Sequence, residues 1–413
     1  MPESDWLRQA GPAIQLMIAT SWIAPDSCRE NQDDAVHRAC KAYPNWNEYL
    51  GLVDRHRTPA LSWAALKRAP GVHIPEPVKR ELQKRSDVCR FQAMLHLQVL
   101  AGVLKELNHF GIPVMPLKGP VLSLALYGDA GLRHSKDLDI LVPQKGVPRA
   151  QECLEKMGWR LDAEYSSLSP RQWKANIRHE HHIGYVHPRQ GCNLELHWRS
   201  NAWSTQQETE QHWARSWGSE LLGSPYRAMS HADLAIYLCT HGGGHGWFRA
   251  KWLGDLARMH CSGRVDWPEV LAYARTVGQE RPVLLCLQLL SESYDLAFGN
   301  IAGTLRKTLP YPLVCKAVRD LRAPGESAEL NVLARFKEQV RASGYNRLLW
   351  PRRSWWKNLP GFTYRRLDFE VLRLPDSLFW LYIPLRPFLK VWRCVKRRNP
   401  TLPLPPESRS MRL

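Results

Sequence analysis

The feature that most constrains this chain is a change of period near residue 111. Before it, "FQAMLHLQVLAGVLKELNHFG" places Leu97, Leu100, Leu104 and Leu107 at helical spacing, and Gly111 supplies a stop. After it come two short apolar runs, "IPVMPLK" and "DLDILV", separated by a Lys118-Gly119-Pro120 turn. These read as strands with a short helix between them, Pro120 being suited to that helix's first position. "QKGVPRAQECLEKMG" then reads as a helix closed by Gly158. "HHIGYVH" and "CNLELHW" read as a hairpin around the turn from Pro188 to Gly191. A helical region followed by strands and further helices predicts an α+β fold, a small mixed sheet with flanking helical domains.

Within "DLDILV" the side chains alternate, so Asp137, Asp139 and Leu141 share one face and Leu138, Ile140 and Val142 the other. Two carboxylates on one face repel each other unless a cation lies between them. Mg²⁺ or Mn²⁺, held by carboxylates together with substrate phosphates, suits that arrangement. In "NLELHW", Glu195 faces away from Leu194, Leu196 and Trp198, and a neighbouring strand would bring it beside the aspartates. Three carboxylates in that setting fit a two-metal site for attack on a phosphorus and departure of pyrophosphate. Upstream, Gly119 lets the backbone approach a phosphate at a helix N-terminus, and Lys118 or Arg133 adds direct charge.

These residues resemble the uncharacterised nucleotidyltransferase family, of the polymerase-beta-like nucleotidyltransferase superfamily. The pattern is LKG, a Tyr-Gly turn, an Arg, D-x-D and a later [ED]-L-H-W strand, continuing through "LAIYLCTHGGGHGWFRAKWLGDLARM" and "DWPEVLAYARTVG". The resemblance implies metal and catalytic roles for Asp137, Asp139 and Glu195, and a phosphate-turn role for Gly119. It also implies NMP transfer from an NTP such as ATP to an unidentified acceptor: a small molecule, sugar phosphate, peptide or protein. The alternative is a catalytically degenerate nucleotide-, RNA- or membrane-binding protein. The wider superfamily usually has Gly-Ser where this chain has Gly119-Pro120, so Ser123 and Ser135 are candidates to replace that hydroxyl.

The expected organisation is a helical region over 1–110, a catalytic core over 111–225, a helical domain over 226–330 and a basic extension over 331–413. Ser230 with Asp233, and Asp266 with Glu269, read as helix caps. "NWNEYLGLVDR" and "DWPEVLAYART" read as two similar helix starts. The N-terminal "PAIQLMIATSWIAP" reads as an amphipathic helix, and the acids Glu3 and Asp5 disfavour a signal peptide.

Several tempting motifs have plainer readings. "RHEHH" fails the H-E-x-x-H zinc template because position 183 is Ile, and His197, on the same face as Glu195, reads as a packed core histidine or as a support to the metal ligands. "HGGGH" suggests a loop near the nucleotide or a Gly-rich helix end, and Lys251 with Asp255 an i,i+4 ion pair. None of the ten cysteines makes a C-x-x-C pair, so reduced thiols in a cytosolic setting are expected.

The formal charge of +18 calls for an anionic partner. Residues 341–400 hold 14 Lys/Arg against 3 Asp/Glu, so +11 sits there. Trp350, Trp355, Trp356, Trp380 and Trp392 are interleaved with this charge. The segment reads as a solvated appendage, a peripheral membrane contact or an RNA contact. Pro384 and Pro387 argue against one continuous helix there.

Overall fold

The computed structural model describes residues 6–163, 165, 168–301, 309–323, 344–351 and 366–396. The chain divides into two compact units. The first comprises Met1–Ala163, His181–Glu326 and Leu348–Trp350, and the second Glu164–Glu180, Ser327–Arg347 and Pro351–Leu413.

The first unit begins with α1 (Pro12–Ala19), α2 (Arg29–Lys41), α3 (Trp46–His56) and α4 (Pro59–Arg68). Helix α1 is buried on most of its surface, at Ala13, Ile14, Leu16, Met17, Ile18 and Ala19, and not amphipathic as its sequence suggested. Gln15 does not make a polar face; its amide donates to the Ala10 carbonyl at 2.8 Å. The long α5 (Glu76–His109) buries Leu100, Leu104 and Leu107, and Gly111 ends it at φ 65°.

The sheet that follows has five strands: β1 (Met115–Pro116), β2 (Asp137–Leu141), β3 (Arg160–Leu161), β4 (His182–His187) and β5 (Cys192–His197), in the order β1-β2-β5-β4-β3. Among the described residues only β2 and β5 run parallel, making the sheet mixed and the fold α+β. Helix α6 (Pro120–Tyr127) links β1 to β2, and α7 (Val147–Lys156) links β2 to β3. Leu138, Ile140, Leu194 and Leu196 are each no more than 1% exposed. Burial of one such side chain stabilises by about 1.5–3 kcal/mol. A one-residue slip would turn all four to the opposite face, so the apolar set fixes the register.

Helix α9 (Gln206–Ala214) leads to a hairpin of β6 (Trp217–Leu221) and β7 (Ser224–Ala228), which lies against α5 and β1. Further helices follow in the unit: α10 (His231–Gly244), α11 (Ala250–Cys261), α12 (Trp267–Thr276) and α13 (Glu280–Tyr294). The paired [DN]-W starts are indeed equivalent caps. Asn45 accepts from the Glu48 amide ahead of α3, and Asp266 from the Glu269 amide ahead of α12.

Two sequence expectations fail in this unit, on the cysteines and on Lys251. Of the two readings of "HGGGH" the Gly-rich helix end is the one found, its glycines admitting large rings. A Cβ at Gly242 would lie 2.3 Å from the Trp247 ring, and one at Gly244 would lie 3.4 Å from Trp203 Nε1. Cys28 and Cys261 form a disulfide, a pairing across 233 residues that a search for neighbouring cysteines does not detect. Asp255 takes Arg133, with Nε to Oδ2 at 2.7 Å, while Lys251 donates to the His134 carbonyl at 2.8 Å.

Trp350 stacks on Trp203 with ring centroids 4.0 Å apart, and its indole donates to Gln279 Oε1 at 2.8 Å. It therefore packs as core in the first unit. Trp355 and Trp356 lie outside the described residues.

In the second unit, α8 (Pro170–His179) starts with a reciprocal cap between Ser169 and Gln172. Gln172 Nε2 donates to Tyr382 Oη at 3.0 Å. Helix α15 (Arg366–Val371) and helix α16 (Tyr382–Lys396) join Phe369, Tyr382 and Leu389 in a small core; between α13 and α15 in the chain, α14 (Tyr311–Arg322) belongs to the first unit. Helix α16 runs unbroken despite Pro384 and Pro387. Pro384 lies in its first turn, where no N–H is needed, and Pro387 removes a single backbone bond. Trp380, Phe388 and Trp392 remain exposed. Among the described residues no helix is long and apolar enough to cross a membrane.

Candidate active site

The parallel register of β2 and β5 sets Asp139 directly opposite Glu195, and Asp137 opposite Asn193. Alternation along β5 then puts His197 on the same face as Glu195. A cavity of about 420 Å³ opens over this face, lined in part by Lys118, Arg133, Asp137, Glu195, His197 and Lys251.

Asp139 is the buried centre, at 1% exposure. Its Oδ1 accepts from Lys118 Nζ at 2.6 Å and lies 3.4 Å from His197 Nε2. His197 Nε2 is also 3.2 Å from Glu195 Oε2. Ligand atoms of Asp139, Glu195 and His197 all lie within 4.8 Å of one another. Asp137 lines the cavity but does not join this cluster. His181, His182 and His197 form a second cluster at the same distance. The sequence template for zinc did not detect that grouping, because it arises from a strand pairing and not from one helix face.

The charges within this cluster support one another. Burial alone would lower the Lys118 pKa, but the Asp139 carboxylate, with Tyr237, Asp137 and Glu195, holds it above the usual lysine range. Burial likewise acts to raise Glu195, yet the bond to His197 and the charges of His182, His197 and Lys118 pull it below the usual carboxylate range. His197 is raised: burial opposes its charge, but bonds to Asp139 and Glu195 prevail. His182 is lowered to about 4, by burial first and then by His197.

Gly119 has φ 82° and ψ −148°, a region open essentially to glycine alone. It brings the chain from β1 into the N-terminus of α6, with Pro120 in the first turn. A Cβ there would sit 3.4 Å from Ser135 Oγ. Gly119→Val is therefore expected to lose about 1–3 kcal/mol of stability through backbone strain. Equal urea midpoints for variant and parent would show that the turn relaxes without cost.

Of the two serines considered as phosphate ligands, Ser135 lines the cavity and donates to the Asp137 carbonyl at 2.8 Å. Ser123 is fully buried, donating to the Asp129 carbonyl and accepting from the Arg133 amide. Arg133 reaches the cavity wall, but its Nε is held by Asp255. Sequence reasoning favoured a core role for His197 over a support to the metal ligands; its position, two residues after Glu195 and on the same strand face, pointed to the latter.

A family described as uncharacterised nucleotidyltransferase matches residues 43–295, more than half of the chain. No curated protein and no solved structure matches it.

Proposed function

The chain belongs to the uncharacterised nucleotidyltransferase family, and from that premise we propose that it transfers an NMP from a nucleoside triphosphate, such as ATP, to an acceptor hydroxyl or phosphate, releasing pyrophosphate. The observation that carries this reading is the in-register pair Asp139 and Glu195, with Asp139 buried against Lys118 and both Glu195 and Lys118 lining the cavity.

The donor set suits a divalent ion. Asp139 Oδ2 is buried with no hydrogen-bond partner among the described residues, beside Glu195 and His197. Asp139 and Glu195 would hold Mg²⁺ or Mn²⁺, with Asp137 on the same strand face. Such an ion supplies activation of the acceptor oxygen and neutralisation of charge on the departing pyrophosphate.

The protein's own groups do the rest. The first-turn amides of α6 and the Gly119 backbone receive the triphosphate, as the N-terminus of a helix favours anions. Lys118 adds its charge to the phosphates as they enter. The acceptor oxygen attacks the α-phosphorus, the bond to the β-phosphate oxygen breaks, and pyrophosphate leaves with that electron pair. Fixed charges stabilise the transition state because they need no reorganisation as it forms. A groove of about 880 Å³ shares Ser135 and Lys136 with the cavity and runs along α5 past Val88 and Phe91. We assign the acceptor to it. The basic segment over 341–400 remains a candidate contact for an anionic membrane surface or RNA.

Incubation with NTPs labelled at the α-phosphate and a cell lysate should label one acceptor fraction. Glu195→Gln, at a partly exposed position, should keep its fold and lose about 10²–10³-fold in rate, the scale of removing one transition-state stabiliser. Label transfer at the parental rate in this variant would remove Glu195 from the site. Binding of Mg-NTP without label transfer to any fraction would favour the degenerate binding protein.

A further inference from the structure

We propose that the cation seat of this site is a mixed nitrogen and oxygen seat, made by Asp139, Glu195 and His197, which takes a divalent transition ion of the Mn²⁺, Co²⁺ or Zn²⁺ kind in preference to Mg²⁺. This rests on the reading that the site works with a divalent ion, and it names the ion class and the third ligand.

Strand geometry supplies the first argument. Glu195 and His197 project from one face of β5, and Asp139 projects beside Glu195 from the parallel β2. His197 Nε2 is 3.2 Å from Glu195 Oε2 and 3.4 Å from Asp139 Oδ1. Two donors bound at right angles to one ion, each at about 2.1 Å, lie roughly 3 Å apart. The imidazole nitrogen is thus already spaced from each carboxylate oxygen close to an edge of a coordination polyhedron, and the three donors lie within 4.8 Å of one another. Asp137, the other carboxylate on the β2 face, does not belong to the cluster, so an imidazole stands where an all-oxygen site would have its third acid.

Ligand chemistry supplies the second. Mg²⁺ is hard, prefers oxygen and gives up its water reluctantly, whereas imidazole suits the later divalent ions. His182 lies close by, with Nε2 3.9 Å from Glu195 Oε1, and its Nδ1 is 3.0 Å from His181 Nε2. The rim of the seat is therefore also rich in nitrogen. Lys118 engages Asp139 Oδ1, while the buried Oδ2 has no hydrogen-bond partner among the described residues.

The test uses the full-length chain stripped of metal and loaded with Mn²⁺ alone, read by electron spin echo modulation. A nitrogen coupling is expected in the parent, changing to the ¹⁵N pattern when the histidines carry ¹⁵N. That labelling needs no substitution and so does not depend on a variant folding. In His197→Gln the coupling should disappear and Mn²⁺ affinity fall at least about tenfold, the low end for disturbing a metal site's surroundings. Mg²⁺ should displace Mn²⁺ only at a concentration at least tenfold higher than Co²⁺ requires.

Mn²⁺ bound without nitrogen coupling, or coupling that persists in His197→Gln, would overturn the proposal even if label transfer were observed. Equal displacement by Mg²⁺ and Co²⁺, or no Mn²⁺ binding at all, would also overturn it. Coupling lost in His197→Gln from a protein that labels no acceptor would support the seat and count against the transferase reading alone.

Discussion

Asp139→Asn is expected to lose both catalysis and stability. The transfer rate should fall by about 10²–10³-fold, since a charge placed for the transition state is removed. Stability should fall by about 3–5 kcal/mol, because the change leaves Lys118 buried without the carboxylate that now lies 2.6 Å from its ammonium. From the sequence alone, the expectation is that removing one of two repelling acids leaves the fold intact. The ion pair with Lys118 reverses that expectation. The double variant Lys118→Met/Asp139→Asn should recover part of the lost stability, as no charge is then stranded, and should remain inactive. Urea denaturation of the four proteins in this cycle gives the coupling directly. An Asp139→Asn protein with the parental midpoint would mean that the pair adds nothing to stability. Parental transfer by that protein would remove Asp139 from the chemistry.

Acid should begin to destabilise the protein before ordinary carboxylates are protonated. His56 is pushed down to about 3 by burial and then by Arg55 and Arg249, and the Ala250 amide donates to its Nδ1 at 2.9 Å. His134 is pushed down to about 3 by burial and then by Lys251, Arg57 and Arg133. His182 is lowered to about 4. Each is neutral in the folded protein at pH 6 and partly protonated when unfolded, near the usual value of about 6.5. The unfolded state therefore binds more protons, and stability rises with pH across this window. Read downward, it is lost from pH 6.5 to about 4 for His182 and to about 3 for the other two.

The slope is at most about 1.4 kcal/mol per pH unit for each histidine. Three such groups amount to several kcal/mol by pH 5, against a typical total of about 5–15 kcal/mol. His197 works the other way: its raised pKa adds stability at acid pH, lost as pH rises through it. The depressed Glu195 joins the acid loss below about 4.3. Urea midpoints at pH 7.5 and pH 5.0 should differ clearly in favour of the former. Equal midpoints would mean that these histidines take up protons without unfolding.

Local signals carried much of this molecule. Glycine and proline punctuation marked the ends of α5 and α7 and the start of α6, because φ preferences act on single residues. Alternation in "DLDILV" and "NLELHW" placed Asp137, Asp139 and Glu195 on the faces opposite the buried leucines, since a strand has a strict two-residue period. The caps at Asn45, Ser230 and Asp266 were likewise readable, as each involves only the next few amides.

What the sequence did not contain was the pairing of distant elements. That Asp139 faces Glu195 follows from the parallel register of β2 on β5, which depends on the burial of both strands' leucines together. Arg133 meeting Asp255, Cys28 meeting Cys261 and Trp350 stacking on Trp203 join positions more than a hundred residues apart. Helix α10 overrode the propensity of three successive glycines, because Trp203 and Trp247 occupy the space their missing side chains leave. Periodicity and turn chemistry are set by neighbouring residues, so one sequence suffices for them. Which imidazole joins two carboxylates, and which ammonium neutralises one of them, is set by packing across the whole first unit, and only the tertiary structure decided it.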